Sequence, residues 1–580
     1  MTDLTPVSSF DNVVEHPTTE LLLAGAGGPL NQQAQSLLNR TEFLNDALNG
    51  QASQISTLET FDSDIGNSAD LSKGANLVGR AVRNIDSIDE LKLLTGRFNG
   101  ETVTVSSFYS GWEALVPPVP EGGGLFVWNA TSTATEVTGH IVKATATTTG
   151  RWFRVLNGDG IYEVTWSGVR SGAGFESTNT TLLNELIAYV DNGSKLHFPS
   201  GLVRINATLT ISKAISLIGQ DKLRSGLFGV GFAQDVPLVD YVGTTGARIQ
   251  DIEFRRFAFW SDNNLARGVT LTWVNKSSFE DIYFYQLYRG LSGSNSWGNN
   301  FKNVSTFSIT LETMTWGAES NNLTFERVEA RGQSGIRFTS GVAALALIGC
   351  DFEGITSQSG RALIFAPVTG QKARAISIQG CYFENIAGAA ISCAGADANS
   401  VLGLTIEGCY IYGGFQDHFG SVAGNATNAI ILTNVKGFNI QNNHFEDWET
   451  NAHFVNSTES NGVVRDNTIN RVTNLSSAAF QSSIRVANND GLGQADIVLN
   501  GSATYDPPSL VDGAGSTTTV TVTGALLGDF VESSFSLSTQ GITITSNVTA
   551  ANTVTVRFQN ETGGTIDLAS GTLRARVFRL

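Results

Sequence analysis

Acidic and aromatic side chains recur in short, similar segments in the second half of this chain, among them "CDFEG", "CYFEN" and "NHFEDWE". The carboxylates at Asp351, Glu353, Glu384 and Glu446 stand one or three residues after a Cys or an Asn. Glycoside hydrolysis requires one carboxyl group as acid and a second carboxylate as base or nucleophile. These four residues are therefore the predicted catalytic candidates.

Residues around these carboxylates predict a saccharide site, because aromatic faces stack on sugar rings. The predicted substrate-binding residues are Tyr382, Tyr410, Tyr412, His444, Asp447, Trp448, Glu329 and Arg331. A competing chemistry is proton abstraction by His444 beside a uronate carboxylate, as in a polysaccharide lyase. That reaction needs a cation or basic side chain to neutralise the uronate, and basic residues are sparse here, so hydrolysis is favoured. A receptor-binding fibre without catalysis is the third alternative.

The carboxylates belong to a repeat that predicts the fold. An apolar residue, two spacers, a small or apolar anchor, one spacer and usually another apolar residue recur nine times, starting with Ile249-Gln-Asp-Ile252-Glu-Phe254. The anchors are Ile252, Ile282, Val304, Val328, Cys350, Cys381, Cys409, Asn443 and Asn467. Irregular spacing with short strands indicates a β-helix, whose loops lengthen freely. The anchor column should point inward, so the cysteines in it are expected to be buried core thiols.

Strand geometry then predicts which side chains share the outer surface. Successive side chains alternate, so positions one and three after each anchor face solvent. With coils ~4.8 Å apart, Glu353 and Glu384 should lie about 5 Å apart along the axis, and Asp351 about 8 Å from Glu384. Glu446 is placed ~10 Å beyond Glu384. Both retaining and inverting geometries are available, and the diagonal pair suits inversion.

Composition agrees with an all-β protein and excludes several functions. The 580 residues include 62 Gly and only 11 Pro, and 15% are charged. A net charge of −17 argues against nucleic-acid binding, which requires clustered Lys and Arg. No apolar run approaches the ~20 residues of a membrane span, and no secretory signal is apparent at the N-terminus. Four Cys provide no disulfide framework. Neither a metal nor a cofactor is predicted.

Five segments are predicted along the chain. They are a leader at 1–28, a short helical or coiled-coil stem at 29–65, a β-rich domain at 66–160, the β-helix with the polysaccharide site at 161–505, and a C-terminal β-rich domain at 506–580. The stem rests on a heptad pattern of apolar residues. A helical stretch, Thr180–Val190, is expected to cap the first coil, because the open end of a solenoid needs cover.

The sequence resembles bacteriophage tailspikes with a pectate-lyase-like β-helix. The resemblance rests on "GVRSGAG", "LHFPSGLVRI", "SLIGQ", "CDFEG" and "CYFEN", on the knob-like "KGANLVGRAV" and "GRWFRV", and on the N-terminal "GGPLNQQAQSLLNRTEFLNDAL". It implies a right-handed helix, a knob at 66–160, a C-terminal β-sandwich at 506–580 and a homotrimer. It also implies that the leader at 1–28 is a virion-attachment segment, so that the N-terminus binds a phage tail or virion adaptor protein. It further implies a capsule, O-antigen or exopolysaccharide as substrate and location in the virion after synthesis in the host cytoplasm. Glu176-Ser177-Thr178 departs from the Asp residues of many relatives, which weakens any idea of a metal there.

Overall fold

The computed structural model describes Thr41 and residues 83–114, 119–355, 360–413, 428–448, 454–455, 460–470, 484–490 and 497–579. The chain divides into two compact units, Met1–Asn84 and Ile85–Leu580. Apart from Thr41, which is helical, the predicted leader at 1–28 and stem at 29–65 lie outside the described residues. None of the described helices is long and apolar enough to cross a membrane.

A five-stranded sheet comes first along the described chain, within the segment predicted to be a knob. Its strands are Arg83–Ile85, Thr102–Ser107, Gly122–Asn129, Ile141–Lys143 and Arg151–Arg154, with the last two exchanged in spatial order. Two short helices, Ile88–Leu93 and the 3-10 helix Trp112–Ala114, accompany them. Alternating Val103 and Val105 point into a core completed by Phe126, Trp128 and Trp152.

A helix at Glu176–Tyr189 follows the 3-10 helix Val164–Ser167 and covers the start of the β-helix. Its Leu183, Leu186 and Ile187 belong to the same apolar core as the coils behind it. The helix begins four residues before the predicted Thr180, because its first turn is polar and carries no apolar periodicity. The arrangement agrees with a helix that closes the first coil.

The strands of the β-helix run from Ile161 to Ala487. Those of the first half are Ile161–Glu163, Lys195–His197, Gly201–Ile205, Leu209–Ile211, Ser216–Ile218, Ser225–Gly229, Pro237–Val242, Ile249–Gln250, Glu253–Ser261, Arg267–Thr272, Val274–Asn275, Ser278–Leu287, Arg289–Ser294, Asn300–Gly317 and Ser320–Glu326. Those of the second half are Glu329–Phe338, Val342–Ile348, Asp351–Ile355, Arg361–Phe365, Ala373–Gln379, Tyr382–Ile386, Ala389–Ala394, Val401–Glu407, Tyr410–Tyr412, Ile430–Thr433, Val435–Gln441, His444–Glu446, Phe454–Val455, Asn461–Arg465, Thr468–Asn470 and Ile484–Ala487.

These strands pair in parallel with the coils before and after them, on three faces. The first face includes Phe279, Phe301, Phe325, Leu347 and Ile378 as successive register partners. The second face includes the partners Ala330, Phe352, Phe383, Ile411 and Phe445. The third face includes Val269, Leu291, Met314, Ile336 and Leu363. The predicted all-β class and parallel β-helix are confirmed.

Like side chains stack on like inside the coils. Phe279, Phe301 and Phe325 form a column of parallel rings with centroids 4.6 and 5.1 Å apart. The anchor column continues from buried thiols, none of which is in a disulfide, into amides that form hydrogen bonds with one another along the axis. The side-chain amide of Asn443 donates to Oδ1 of Asn467 over 3.0 Å, and that of Asn467 to Oδ1 of Asn489 over 2.8 Å. Buried polar groups are thereby paired.

Eight of the nine predicted repeats are in the register that the structure shows, from Phe279 onward. The prediction for the first repeat was wrong by five residues. The partners of Phe279, Ile282 and Phe284 were predicted to be Ile249, Ile252 and Phe254, but in the structure they are Phe254, Phe257 and Phe259. Ile249 instead pairs with Val274 in a separate two-stranded corner sheet. Both segments are apolar and closely spaced, so hydrophobic spacing alone did not distinguish them.

The C-terminal domain consists of two antiparallel three-stranded sheets. One contains Ile497–Tyr505, Phe530–Phe535 and Gly571–Arg579, and the other contains Gly515–Thr521, Thr543–Ala550 and Thr553–Gln559. Val520, Val556, Phe558, Leu573 and Val577 from both sheets form one buried core. The predicted β-sandwich is confirmed, but the predicted boundary at 506 was too late, because Ile497–Tyr505 pairs along its whole length with Gly571–Arg579.

Candidate functional site

The second face presents two adjacent columns of outward side chains. The column one position after the anchors contains Tyr283, Ser305, Glu329, Asp351, Tyr382, Tyr410, His444 and Thr468. The column at the third position contains Tyr285, Phe307, Arg331, Glu353, Glu384, Tyr412, Glu446 and Asn470. All of these residues are partly or fully exposed, as strand alternation predicts.

Three carboxylates meet near the middle of these columns. Oxygens of Glu329, Asp351 and Glu353 all lie within 4.8 Å of one another. Arg331 lies among them: its Nε is 2.8 Å from Oε1 of Glu329, and it also forms an ion pair with Glu353. We call Glu329, Arg331, Asp351 and Glu353 the carboxylate cluster. Among the described residues, these three carboxylates are the group that could hold a cation, but Arg331 already supplies positive charge there.

Asp351 is the member of the carboxylate cluster whose protonation is most perturbed. Burial, together with the nearby carboxylates of Glu353 and Glu329, raises its pKa to about 6, and Arg331 opposes the rise. One of its oxygens, Oδ1, is buried, and no described residue donates a hydrogen bond to it. A carboxyl group in these surroundings retains a proton at mildly acidic pH, which is the property of a general acid.

Glu384 lies beside the carboxylate cluster on the next coil, as the register partner of Glu353. This agrees with the prediction that the two share an outward column. Burial raises the pKa of the Tyr382 hydroxyl, and its hydrogen bond to Glu384 raises it further. The structure thus groups Asp351 with Glu329 and Glu353. Glu384 instead forms a hydrogen bond with Tyr382, which is the partner of Asp351 on the next coil.

Aromatic rings continue the same two columns beyond the carboxylates. Tyr382 and Tyr410 stack with centroids 5.4 Å apart and planes 10° from parallel, and Tyr410 stacks on His444 at 5.1 Å. Tyr412 lies beside them, with its centroid 6.3 Å from that of Tyr410. Four of the predicted substrate-binding residues therefore form one surface, which we call the lower aromatic strip.

Glu446 is engaged by the lower aromatic strip rather than by the other carboxylates. The hydroxyl of Tyr410 donates to its Oε2, and Nε2 of His444 lies 3.4 Å from the same oxygen. The side-chain amide of Asn470 donates to Oε1 over 2.9 Å. Glu446 therefore fixes the orientation of two rings. It lies three coils from Asp351, too far for the two carboxyl groups to act on one bond.

Two predicted substrate-binding residues are not on this surface, and for them the prediction was wrong. Trp448 is 2% exposed, belongs to the apolar core, and donates from its indole Nε1 to the carbonyl oxygen of Ile411 over 3.0 Å. Asp447 is 1% exposed. The sequence suggested a polar loop after the strand, but the chain turns inward at Asp447, whose φ is 57°.

Aromatic residues above the carboxylates complete the surface, and none of them was among the predicted substrate-binding residues. Trp260 lies 4.6 Å from Tyr285, and Tyr285 stacks on Phe307 with centroids 5.9 Å apart and planes 6° from parallel. Tyr283 stacks on Tyr285 at 5.9 Å. We call these four residues the upper aromatic strip. Trp260 was missed because of the register error, although "FRRFAFW" has the same spacing as "FEDIYFY" and would have revealed it.

The fold and this surface define a class of protein, namely a parallel β-helix that carries carboxylates between two aromatic strips along one face. Residues 84–157 match the family model of the phage tail protein small four-stranded beta-sheet domain. The resemblance to phage tail proteins is confirmed over that segment. No curated protein sequence matches the chain.

Three solved structures to which the chain is similar are phage tailspikes. Tailspike gp49 of Acinetobacter baumannii bacteriophage Fri1, a capsular polysaccharide depolymerase, is 13% identical with a TM-score of 0.39; the match covers 86% of this chain and 98% of that one. The tailspike of Acinetobacter baumannii phage AM24 is 11% identical with a TM-score of 0.41, covering 88% and 96%. The enzymatically active domain of bacteriophage CBA120 tailspike protein 2 is 12% identical with a TM-score of 0.39, covering 90% and 82%.

Proposed function

We propose that this chain is the subunit of a phage tailspike that binds a bacterial surface polysaccharide and cleaves it within the chain by glycosidic hydrolysis. The substrate would be a capsule, an O-antigen or an exopolysaccharide. The observation that carries the proposal is Asp351: a carboxyl group with a pKa of about 6, within 4.8 Å of another carboxylate, on an outward face between two aromatic strips. The phage tail domain at residues 84–157 supports the virion setting.

In this proposal Asp351 is the general acid that protonates the oxygen of the leaving sugar. Its partly buried position keeps the proton available at mildly acidic pH, and Glu353 and Glu329 hold its pKa above that of an ordinary aspartate. A positioned acid contributes about 10²–10⁴-fold to the rate of such a reaction. As the transition state forms, Asp351 becomes a carboxylate, and the nearby guanidinium of Arg331 stabilises the new charge.

The second carboxylate comes from Glu353 or Glu384. Glu353 lies within 4.8 Å of Asp351, close to the ~5–5.5 Å separation typical of retaining enzymes. Glu384 lies one coil further and suits the longer separation in which a water molecule attacks. NMR of the anomers that the active protein releases distinguishes retention from inversion, and substitution of each glutamate by glutamine shows which of the two is required for cleavage.

The aromatic strips give the proposal its binding surface. Sugar rings that stack on Trp260, Tyr285 and Phe307 above, and on Tyr382 and Tyr410 below, would place an internal linkage beside Asp351. A polymer held on both sides of the cleaved bond is cut within the chain, which makes the enzyme endo-acting. The cluster of partly exposed rings is itself an indication of a binding surface.

A lyase is the second candidate, favoured by one specific observation. Tyr410 and His444 both contact Glu446, an arrangement suited to abstracting a proton from a sugar ring. Incubation with purified surface polysaccharides from a panel of bacterial strains separates the alternatives. Hydrolysis gives new reducing ends without absorbance near 235 nm, elimination gives both, and a non-catalytic fibre binds polysaccharide but gives neither. The last result would contradict the proposed enzyme.

We further propose that the protein is a homotrimer that attaches to the phage tail or an adaptor protein through its N-terminus. The heptad pattern of residues 29–65 and the phage tail domain support this assembly. Light scattering at micromolar concentration should give a mass three times that of the 61.7 kDa chain. A mass of one chain would contradict it.

A further inference from the structure

Two tryptophans and an arginine meet at a corner of the β-helix, where third-face strands turn into the first face. The rings of Trp273 and Trp297 have centroids 5.9 Å apart and planes at 80°. The guanidinium carbon of Arg248 lies 4.5 Å from the ring centroid of Trp297 and 5.7 Å from that of Trp273. Arg248 is exposed and both indoles are partly exposed. We call these three residues the Trp–Arg corner, and it shares no residue with the second face.

The backbone holds Trp273 at this corner in an unusual conformation. Its φ is +56°, and the residues at the same turn in the next two coils, Asn295 and Ala318, have φ of +50° and +46°. Asn tolerates this left-handed region, whereas a bulky aromatic residue rarely occupies it. A Cβ added at Gly243 would lie 2.9 Å from Cβ of Trp273, so glycine leaves the space that the tryptophan requires. Such strain concentrates at binding sites.

The charges at the corner contrast with those of the whole chain. Although the net charge is −17, Arg248 and the exposed Lys276 both lie on this corner, and no described carboxylate forms an ion pair with either. The acidic residue nearest to the corner along the paired strands is Asp251. It comes directly after Gln250, which is the register partner of Asn275. Arg248 is therefore held against an aromatic ring with its donors free of a protein carboxylate.

We propose that the Trp–Arg corner binds an acidic sugar residue, such as a uronate, of a surface polysaccharide. Arginine matches a carboxylate with two parallel N–H donors. Because the two indoles are nearly perpendicular, the ring of Trp273 forms a wall beside the guanidinium, against which the apolar face of the sugar packs. Lys276 adds positive charge on the same turn. This inference rests on the proposed function: a second contact of this kind would retain a long polymer near the carboxylate cluster by raising its effective concentration.

The proposal is tested by fluorine NMR on the full chain labelled with 5-fluorotryptophan. The Asp351→Asn background, which lacks the proposed acid, prevents the probe from being consumed, and Trp273→Phe and Trp297→Phe assign the two resonances. Addition of galacturonate oligomers should shift both resonances saturably. Methyl-esterified oligomers should bind at least about tenfold more weakly, because the charged hydrogen bonds are lost. Arg248→Met, a change at an exposed side chain, should abolish the shift.

Arg327→Met is the matched control, since Arg327 is an exposed arginine that pairs with Glu326 on a different coil. It should leave the titration unchanged. Absence of any shift, or equal shifts with the esterified oligomers, would overturn the proposal. A change in oligomeric mass in Arg248→Met would overturn it as well, since the corner would then be a contact between copies. Loss of cleavage in variants of the carboxylate cluster would leave this titration unchanged, so failure of the proposed function and failure of this proposal are distinguishable.

Discussion

The raised pKa of Asp351 predicts how a neighbouring carboxylate, Glu329, sets the pH dependence of cleavage. If Asp351 is the general acid, activity is present below its pKa of about 6 and is lost as the pH rises through that value. At pH 7 about one molecule in ten then carries the proton. Glu329→Gln removes a neighbouring negative charge while keeping the size of the side chain. The pKa of Asp351 should fall, and the alkaline limb of kcat/KM should move to lower pH.

The size of this change follows from the geometry. Carboxylate oxygens of Glu329 and Asp351 lie within 4.8 Å, and at the dielectric constant of water this repulsion is about 0.9 kcal/mol, or about 0.6 in pKa. The variant should therefore lose about fourfold in kcat/KM at pH 7 but only about a fifth at pH 5. Arg331, released from its ion pair with Glu329, would lower the pKa of Asp351 further.

Initial rates of reducing-end formation between about pH 4 and about pH 9 give the position of the limb. The matched control is Glu280→Gln, which removes the same charge from an ion pair with Lys302 on the first face. The control limb should stay in place. A loss of activity at pH 5 beyond about a fifth, with the limb moved as expected, would show that Glu329 also contributes to binding. An alkaline limb that does not move, or moves to higher pH, would refute the assignment of Asp351 as the acid.

The remaining predictions concern the cleavage site, the aromatic strip and the core. Asp351→Asn should remain folded and bind polysaccharide but lose about 10²–10⁴-fold in kcat. The same loss is expected in Glu353→Gln or in Glu384→Gln, whichever removes the second carboxylate, and full activity in all three variants would contradict the site. Tyr410→Ala should raise KM by an amount equivalent to ~1–3 kcal/mol, by analogy with base stacking, whereas Tyr410→Phe, which keeps the ring, should not; equal effects would exclude stacking. Asn467→Ala should destabilise the chain by at least ~2 kcal/mol, measured by thermal unfolding, because it leaves buried amides unpaired. Replacement of the exposed Asn470 by alanine should have a much smaller effect on stability, and similar losses in both would show that the buried ladder contributes little.

The sequence by itself predicted the repeat, the inward column and the outward face. Cys350, Cys381 and Asn443 were assigned to the interior, and Asp351 and Glu353 to the surface, because alternation along a strand is a local property of the extended backbone. Parallel pairing then places equivalent positions of successive coils side by side. Neither inference requires knowledge of the loops.

Only the tertiary structure decided which side chains meet and which are desolvated. The association of Glu329 with Asp351 and the ion pairs of Arg331 depend on how side chains cross from one coil to the next. Trp448 lies in the core because the chain turns at Asp447, where φ is 57°, and the polarity of the neighbouring residues did not indicate this turn. The pKa of Asp351 depends on burial and on charges from separate coils. These contacts depend on rotamers and on packing between segments distant in sequence, so a periodic pattern along one strand does not contain them.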